Sequence, residues 1–310
     1  MKISTTTGSY QNHGDSRVFR DMEEVLRTLS RIGYDTLDLS LTALDHPELV
    51  LNGEDWERKV DELGESAARW GISFYQSHIP YIEGCSPLRD PAFADPAYEE
   101  FFKEMMRRAY VASSRLGVKW TAVHPLTFPQ YNYENQASLE GNHRFFDAFV
   151  ELGDKLGVGT AFENMPSTLS SQYCQHYDQL IELADSYHDP LVGICWDVGH
   201  ANLCGLQQGR AIRTIGKRLK ILHINDNFGD GKDLHLLPYI GRVDWEDVMS
   251  ALADIGFDGP LNYEAGKTYA RAYGQLQEQF AKLAYDNGVY LVKLFEKYRA
   301  QKSGGASARG

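Results

Sequence analysis

The sequence predicts an α/β protein that folds as a single (β/α)8 TIM barrel. Eight short apolar runs of strand type each lead into a longer stretch of helical periodicity. Regular alternation of strands and helices indicates a parallel sheet, and eight such units are the number that closes a barrel. The length of 310 residues is ordinary for one barrel of this kind.

Each strand is predicted from a short run rich in apolar or β-branched residues. These runs are Lys2–Thr7, Thr36–Ser40, Ile72–Ser77, Lys119–Val123, Gly159–Phe162, Leu191–Trp196, Leu219–Leu222 and Pro260–Tyr263. The helices are predicted from apolar residues that recur every three to four positions, as Val25, Leu29 and Ile32 do in the first helix. The helices cover Met22–Ile32, Trp56–Trp70, Tyr98–Leu116, Asn142–Leu156, Tyr177–Tyr187, Gly209–Arg218, Asp244–Ile255 and roughly Ala272–Tyr298.

Glycines mark the ends of five helices, which is typical of helix C-termini. They are Gly33, Gly71, Gly117, Gly157 and Gly256. A doubly wound sheet would instead need a glycine-rich phosphate loop after the first strand, and Thr5–Ser9 is not one. We therefore place one barrel domain over residues 1–300 with a long C-terminal helix, and we expect residues 301–310 to form a disordered tail.

Composition limits the partners of this chain. The formal net charge is −12, whereas proteins that bind nucleic acid normally present a basic face. No run approaches the roughly 18 apolar residues of a membrane span, and the first residues lack the apolar segment of a signal peptide. The four cysteines include no C-x-x-C pair. We expect a cytoplasmic protein with free thiols and with neither nucleic acid nor membrane as partner. The sequence does not decide whether the chain forms a homo-oligomer.

Side chains that can bind metal follow six of the predicted strands. They are His78, His124, Glu163, Asp197, His223 and Glu264. His200, Asp233 and His235 follow a little later in the chain and bring the set to nine. Because the carboxyl ends of barrel strands meet at one rim, we expect these side chains to converge. Burying them next to apolar strands is costly unless they are paired or bound to metal.

The residues Glu163, Asp197, His223 and Glu264 form the predicted metal site. Three carboxylates and one imidazole suit a hard or borderline divalent cation, so one Mn²⁺ is favoured and Mg²⁺, Co²⁺ or Zn²⁺ stays open. Each residue also has a structural interpretation: Asp197 can cap the next helix, and His78 and His124 can be hydrogen-bonded structural histidines. The four-residue set is a stronger indication of metal than any member alone.

Four sequence strings resemble the xylose isomerase-like TIM-barrel superfamily. They are FENMPS, CWDVGHANLCG, HINDNFGDGKDLHLLPYIGRVDW and YEAG. The superfamily includes sugar phosphate isomerases/epimerases, ketose 3-epimerases, inosose dehydratases and type-IV AP endonucleases. The resemblance extends over the barrel from about Ile3 to Glu264.

This resemblance implies roles for individual residues. In the epimerases the metal ligands correspond to Glu163, Asp197, His223 and Glu264 of this sequence. The two glutamates would also be the catalytic acid/base pair, and His200 would contact the substrate and take part in catalysis. The residues expected to bind substrate are His78, His124, His200, Asp233 and His235. The small substrate would be a sugar or keto-sugar.

Three reactions remain open on this evidence. The first is isomerisation or epimerisation of a sugar, by removal of a proton next to a carbonyl through an enediolate. The second is a metal-dependent lyase reaction on a keto-sugar, such as dehydration of an inosose or cleavage of a 3-keto C-glycoside. The third is AP endonuclease activity with three zinc ions, because all nine residue types of that site are present. The sequence Tyr239–Trp245 and the acidic net charge weigh against the endonuclease.

Overall fold

The computed structural model describes residues 1–11, 21–44, 49–82, 95–128, 135–167, 172–266 and 275–307. Its strands are β1 (Ile3–Thr5), β2 (Thr36–Ser40), β3 (Ser73–His78), β4 (Trp120–Val123), β5 (Gly159–Glu163), β6 (Val192–Asp197), β7 (Leu219–His223) and β8 (Leu261–Tyr263). Its helices are α1 (Gly8–Gln11), α2 (Met22–Ile32), α3 (Trp56–Arg69), α4 (Pro96–Arg115), α5 (Asn135–Leu156), α6 (Tyr177–Ser186), α7 (Val198–Leu203), α8 (Gln208–Ile215), α9 (Trp245–Ile255) and α10 (Gln275–Ser307).

The eight strands form a closed parallel barrel. Strands β2 to β7 pair in chain order, and β1 pairs with β8. Two isolated parallel bridges, Thr6 with Asp38 and Ile224 with Tyr263, join these two groups. The main-chain N–H of Thr7 also donates to Asp38 O at 2.8 Å, and that of Glu264 donates to Ile224 O at 3.0 Å. The fold predicted from the alternation of strands and helices is therefore confirmed.

Helix ends coincide with the capping residues that the sequence offers. The carboxylate of Asp21 accepts from the N–H of Glu23 at the start of α2, and Gly33 ends that helix with φ 124°. Asp244 caps α9 in the same way, and Gly256 ends it in the left-handed conformation. The short helices α1 and α7 were not predicted from sequence. Each is about one or two turns long, too short to produce a helical apolar pattern.

The C-terminal helix α10 is longer than the sequence predicts. It continues to Ser307 rather than ending near Tyr298. Gly304 and Gly305 have low helix propensity and made an earlier end the natural expectation. The predicted tail therefore begins as helical backbone, and its last residues, 308–310, lie outside the described residues. None of the described helices, α10 included, is both long and apolar enough to cross a membrane.

A small apolar cluster, the barrel floor, fills the interior of the barrel. It consists of Ala122, Ala161, Cys195 and Ile221, with Tyr75 and Trp120 packed against it. Beneath these rings, Lys119 Nζ lies 5.2 Å from the Tyr75 ring and Lys220 Nζ lies 5.3 Å from the Trp120 ring. Side chains two positions apart on a strand share a face. The residue two positions after each member of the floor therefore also points into the barrel, one layer higher.

Candidate metal centre

That higher layer includes Glu163, Asp197 and His223, and Glu264 completes with them a cluster of four side chains from four consecutive strands. Glu163, Asp197 and His223 are the last residues of β5, β6 and β7, and Glu264 directly follows β8. One ligand atom from each lies within 4.8 Å of the others. The side chain of Glu264 is 24% exposed, while the other three are buried. The cluster thus has an open side at Glu264.

Nδ1 of His223 lies at the centre of this cluster. It is 2.9 Å from Glu163 Oε1, 3.4 Å from Glu264 Oε2 and 4.0 Å from Asp197 Oδ2. Three carboxylates thus surround one ring nitrogen. This concentration of negative charge in a buried place is unfavourable unless a positive charge compensates it.

The electrostatics of the cluster follow from that arrangement. Burial alone would raise the pKa of Glu163, but the charge of His223 and hydrogen bonds from the neighbouring histidines hold it well below its ordinary value. Burial alone would lower the pKa of His223, and its neighbours Cys195, Glu163 and Glu264 raise it well above the ordinary value. Burial raises the pKa of Asp197, the most enclosed carboxylate. In the absence of metal, a protonated His223 is the compensating charge.

These residues fit a divalent cation. Glu163 Oε2 is buried and makes no well-oriented hydrogen bond, although the Nε2 atoms of His78 and His124 lie 3.4 and 3.3 Å away and a buried carboxylate oxygen is normally satisfied. Three carboxylates and one imidazole are a ligand set for hard or borderline cations. A cation bound between Glu163, Asp197, His223 and Glu264 would satisfy that oxygen and replace the proton on His223 Nδ1.

Asp197 uses its two carboxylate oxygens differently. Oδ1 accepts from the main-chain N–H of His200 at 2.6 Å and thereby caps α7. Oδ2 accepts from Asn225 Nδ2 at 2.8 Å and faces His223. Capping and metal binding were alternatives for this residue in the sequence. In the structure one oxygen caps the helix and leaves the other directed at the cluster.

Three further histidines are oriented by main-chain carbonyl groups. Their Nδ1 atoms lie at hydrogen-bond distance from Ile79 O for His78 (3.0 Å), Asn164 O for His200 (2.8 Å) and Glu264 O for His235 (2.7 Å). A carbonyl only accepts, so each of these Nδ1 atoms carries a proton. The neutral forms of these three histidines therefore have their lone pair on Nε2.

Two of the predicted substrate residues, His78 and His124, lie against Glu163. Their Nε2 atoms are 3.1 Å apart, and they lie 3.4 and 3.3 Å from Glu163 Oε2. The ring of Tyr81, which is 45% exposed, stacks on His124 with centroids 4.5 Å apart. An exposed aromatic ring thus stands beside His124 at this rim.

The other predicted substrate residues form a second group at the same rim. Ligand atoms of His200, Asp233 and His235 lie within 4.8 Å of one another. His235 Nε2 is 2.7 Å from Asp233 Oδ2. The structure therefore brings all nine residues selected from the sequence to one end of the barrel.

Asp226 holds the loop that carries Asp233 and His235. Its carboxylate accepts from the N–H of Tyr239 at 3.0 Å, from that of Val243 at 3.1 Å and from Trp245 Nε1 at 3.0 Å. The loop closes tightly around it. A Cβ on Gly241 would lie 2.2 Å from Asp226 Oδ1. The loop is thus fixed by hydrogen bonds to a buried carboxylate.

Sequence reasoning missed three polar residues that support the centre. Asn164 exchanges hydrogen bonds with the main chain of Asp197, through Oδ1 at 2.7 Å and Nδ2 at 2.9 Å. Asn225 binds the carboxylate of Asp197, and Asp38 lies buried in β2 beside His223 Nε2 at 3.8 Å. A charged residue inside the apolar run of β2 was the one available signal for Asp38.

The fold and this rim define a (β/α)8-barrel protein with a candidate metal centre built from strands five to eight. The chain matches the family model described as "Xylose isomerase-like TIM barrel" over residues 21–289. It belongs to that family, as its sequence strings indicated.

Two curated relatives illustrate the range of similarity. An uncharacterized protein of Sinorhizobium fredii is 36% identical over 138 residues, which cover 44% of this chain and only 43% of that protein. A D-psicose 3-epimerase of Ruminiclostridium cellulolyticum is 21% identical over 258 residues, which cover 83% of this chain and 82% of that enzyme.

Solved structures share the fold over almost the whole chain. A D-tagatose 3-epimerase-like protein superposes with a TM-score of 0.72 at 20% identity, covering 96% of this chain and 99% of that one. The IolI protein with a bound zinc atom gives a TM-score of 0.69 at 19% identity, with the same two coverages of 96% and 99%.

Proposed function

We propose that this protein is a divalent-metal-dependent sugar isomerase or epimerase that removes a proton next to a carbonyl group. The observation that carries the proposal is the pair of glutamates, Glu163 and Glu264, on either side of His223 Nδ1. A relative that aligns with 83% of this chain is a D-psicose 3-epimerase, and this similarity supports the same class of enzyme.

The metal ligands in this proposal are Glu163, Asp197, His223 and Glu264. A divalent ion bound there, with Mn²⁺ favoured, supplies positive charge that polarises a substrate carbonyl and acidifies the neighbouring C–H. Asn164 and Asn225 hold Asp197 in place, so the ligand positions are set before substrate arrives.

The two glutamates move the proton. Glu163 comes from β5 and Glu264 from β8, so they approach the substrate from separate strands and can act on opposite faces of the reacting carbon. One carboxylate removes the proton, giving an enediolate, and the other delivers a proton to give the new isomer. The lowered pKa values of Glu163 and Glu264 keep both carboxylates ionised at neutral pH in the free protein.

The histidines orient the substrate. With Nδ1 fixed to Asn164 O, His200 presents Nε2 to a substrate hydroxyl. His78 and His124 line the opposite wall with Tyr81, whose exposed ring offers an apolar face for a sugar. Asp233 and His235 complete the proposed substrate contacts from the loop after β7.

Hydrogen exchange tests this function. The metal-loaded protein is incubated in D₂O with a panel of ketoses, inososes and 3-keto-glycosides, with and without chelator. We expect metal-dependent deuterium incorporation at the carbon next to the carbonyl, together with a new epimer or isomer. If no member of the panel shows exchange, isomerisation or elimination, the proton-abstraction proposal is wrong.

The same experiment separates the two rival reactions. Exchange with loss of a β-substituent and without a new epimer would identify a lyase on a keto-sugar. Chelator-sensitive incision of an abasic-site oligonucleotide would identify an endonuclease, for which the His200, Asp233 and His235 group offers further ligands. Elemental analysis adds a direct count, because one ion supports sugar chemistry and three zinc ions support the endonuclease.

A further inference from the structure

The interior of the barrel holds a second polar group directly beneath His223. Asp38, on β2, is completely buried. Its Oδ2 accepts from Asn262 Nδ2 at 2.9 Å and from Gln76 Nε2 at 3.3 Å. His223 Nε2 lies 3.8 Å from the same oxygen. Four side chains from β2, β3, β7 and β8 thus meet in the barrel interior.

The hydrogen-bonding capacity of this group is unbalanced. Asp38 Oδ1, Gln76 Oε1 and Asn262 Oδ1 are buried oxygens without a hydrogen-bond partner, and the two amide oxygens, like an ionised carboxylate, can only accept. His223 Nε2 is the remaining atom of the group without a partner. A lone pair on Nε2 would add a fourth acceptor, next to a carboxylate. A proton on Nε2 instead supplies the donor that the group lacks.

The opposite side of the same ring faces the proposed metal site, where a bound ion would displace the proton on Nδ1 and leave the ring protonated on Nε2 alone. His223 Nδ1 faces three carboxylates, 2.9 to 4.0 Å away. His78, His200 and His235 have the reverse orientation, because main-chain carbonyls fix their protons on Nδ1. No main-chain carbonyl of the described residues hydrogen-bonds to the His223 ring, and the carboxylate that faces its Nε2 is that of Asp38, at 3.8 Å.

We propose that Asp38 is a positioning residue that keeps the proton of His223 on Nε2 and thereby leaves the Nδ1 lone pair free for the metal ion. Acceptors behind a ligating histidine fix its tautomer, orient its ring and raise its basicity. Asn262 and Gln76 hold the carboxylate of Asp38 in that place. This inference rests on the metal site proposed above and extends it to a residue on the far side of the barrel.

The first test measures metal affinity without catalysis. Asp38→Asn keeps the shape of the side chain and removes its charge. We expect it to weaken Mn²⁺ binding about 10- to 100-fold, the usual cost of losing such a partner. Competition with a chelating dye gives the dissociation constant, and the melting temperature of the metal-free protein reports the structural cost.

Tyr110→Phe is the matched control. It removes another buried hydrogen bond, from Tyr110 to Thr160 Oγ1 at 2.8 Å, away from the centre. It should lower the melting temperature and leave the Mn²⁺ dissociation constant unchanged. If Asp38→Asn has the same Mn²⁺ dissociation constant as the wild type, Asp38 does not position His223 for the ion.

The second test needs no variant, so it applies even if Asp38→Asn does not fold. Wild-type protein with ¹⁵N-labelled histidine is loaded with ¹¹³Cd²⁺ as a probe. We expect cadmium–nitrogen coupling at Nδ1 of a ring protonated on Nε2. If cadmium–nitrogen coupling is seen only at Nε2, in rings whose proton is on Nδ1, the proposed role of Asp38 is wrong. Failure of the wild type to bind any metal would instead defeat the proposed function itself.

Discussion

Glu163 and Glu264 both contact His223, but they differ in burial, and this difference separates their roles. Glu163 is almost fully buried, whereas the side chain of Glu264 is 24% exposed. A buried ligand that loses its charge leaves an uncompensated centre, while an exposed one can be replaced by water. The two positions should therefore respond differently to the same substitution.

Glu163→Gln and Glu264→Gln should each lower kcat by at least about 10²- to 10⁴-fold, the usual contribution of general acid–base catalysis. Glu163→Gln should also weaken metal binding more than Glu264→Gln does. Steady-state kinetics and metal titration on the same samples give both quantities. Wild-type kcat in either variant would remove that residue from the catalytic pair.

His200→Ala tests substrate contact separately from metal binding. Nδ1 of the His200 ring lies at hydrogen-bond distance from Asn164 O, so Nε2 points away from that carbonyl. His200 is not one of the four proposed metal ligands. We expect a higher KM or a lower kcat while the Mn²⁺ dissociation constant stays close to that of the wild type. Loss of the ion in this variant would place His200 among the metal ligands.

Metal binding should release a proton. The pKa of His223 is raised well above its ordinary value in the metal-free protein, so the ring is protonated at pH 7 and must lose its Nδ1 proton to bind the ion. We expect about one proton released per ion at pH 7, and affinity that falls as the pH decreases. Calorimetry in two buffers of different ionisation enthalpy measures this number; no buffer dependence would contradict it.

Strand-end residues were predictable from sequence because side chains alternate between the two faces of a strand and the last apolar residue marks where the strand ends. Once Val123 and Leu222 are recognised as the last apolar residues of their strands, His124 and His223 follow at the rim. Asp38 could not be assigned in this way. Its partners Gln76 and Asn262 come from strands far apart in sequence, and only the closed barrel brings them together.

At the scale of elements, the loop after β7 depends on close approach of its main chain to Asp226. Gly241→Ala would place a Cβ 2.2 Å from Asp226 Oδ1 and 2.3 Å from Asn227 O. We expect the loop to shift, with a lower melting temperature and a higher KM, because Asp233 and His235 move with it. Thermal unfolding and kinetics measure the two effects.

Gly71→Ala is the control for that substitution. Gly71 lies just before β3, and its φ of 66° makes alanine unfavourable, but a Cβ there meets no atom within 4 Å. It should cost about 1 kcal/mol of stability and leave KM unchanged. An unchanged KM in Gly241→Ala would show that the substrate does not depend on the conformation of this loop.

The ends of the helices show where local sequence signals were sufficient to predict a boundary. Gly33 and Gly256 end α2 and α9 as predicted, because a left-handed or otherwise positive φ at that position favours glycine over other residues. The end of α10 has no such signal. Its helix passes through Gly304 and Gly305, so propensity alone gave the wrong boundary there.

For the whole molecule, the acidic charge gives a negative prediction. With a net charge of −12, the protein should show no measurable affinity for undamaged duplex DNA at physiological salt, since it cannot neutralise several phosphates. A gel-shift or anisotropy titration at about 150 mM salt checks this. Tight, salt-sensitive binding would contradict it and favour the endonuclease.

The barrel floor has a consequence for the order of events in turnover. Ala122, Ala161, Cys195 and Ile221, together with the buried side chains of Asp38, Gln76 and Asn262, fill the barrel interior below the proposed metal site and, in the part of the chain that the structure describes, leave no passage through it. Substrate must enter and product must leave through the same opening. In the proposed reaction, a product still bound at the rim therefore excludes the next substrate, which makes the product a competitive inhibitor.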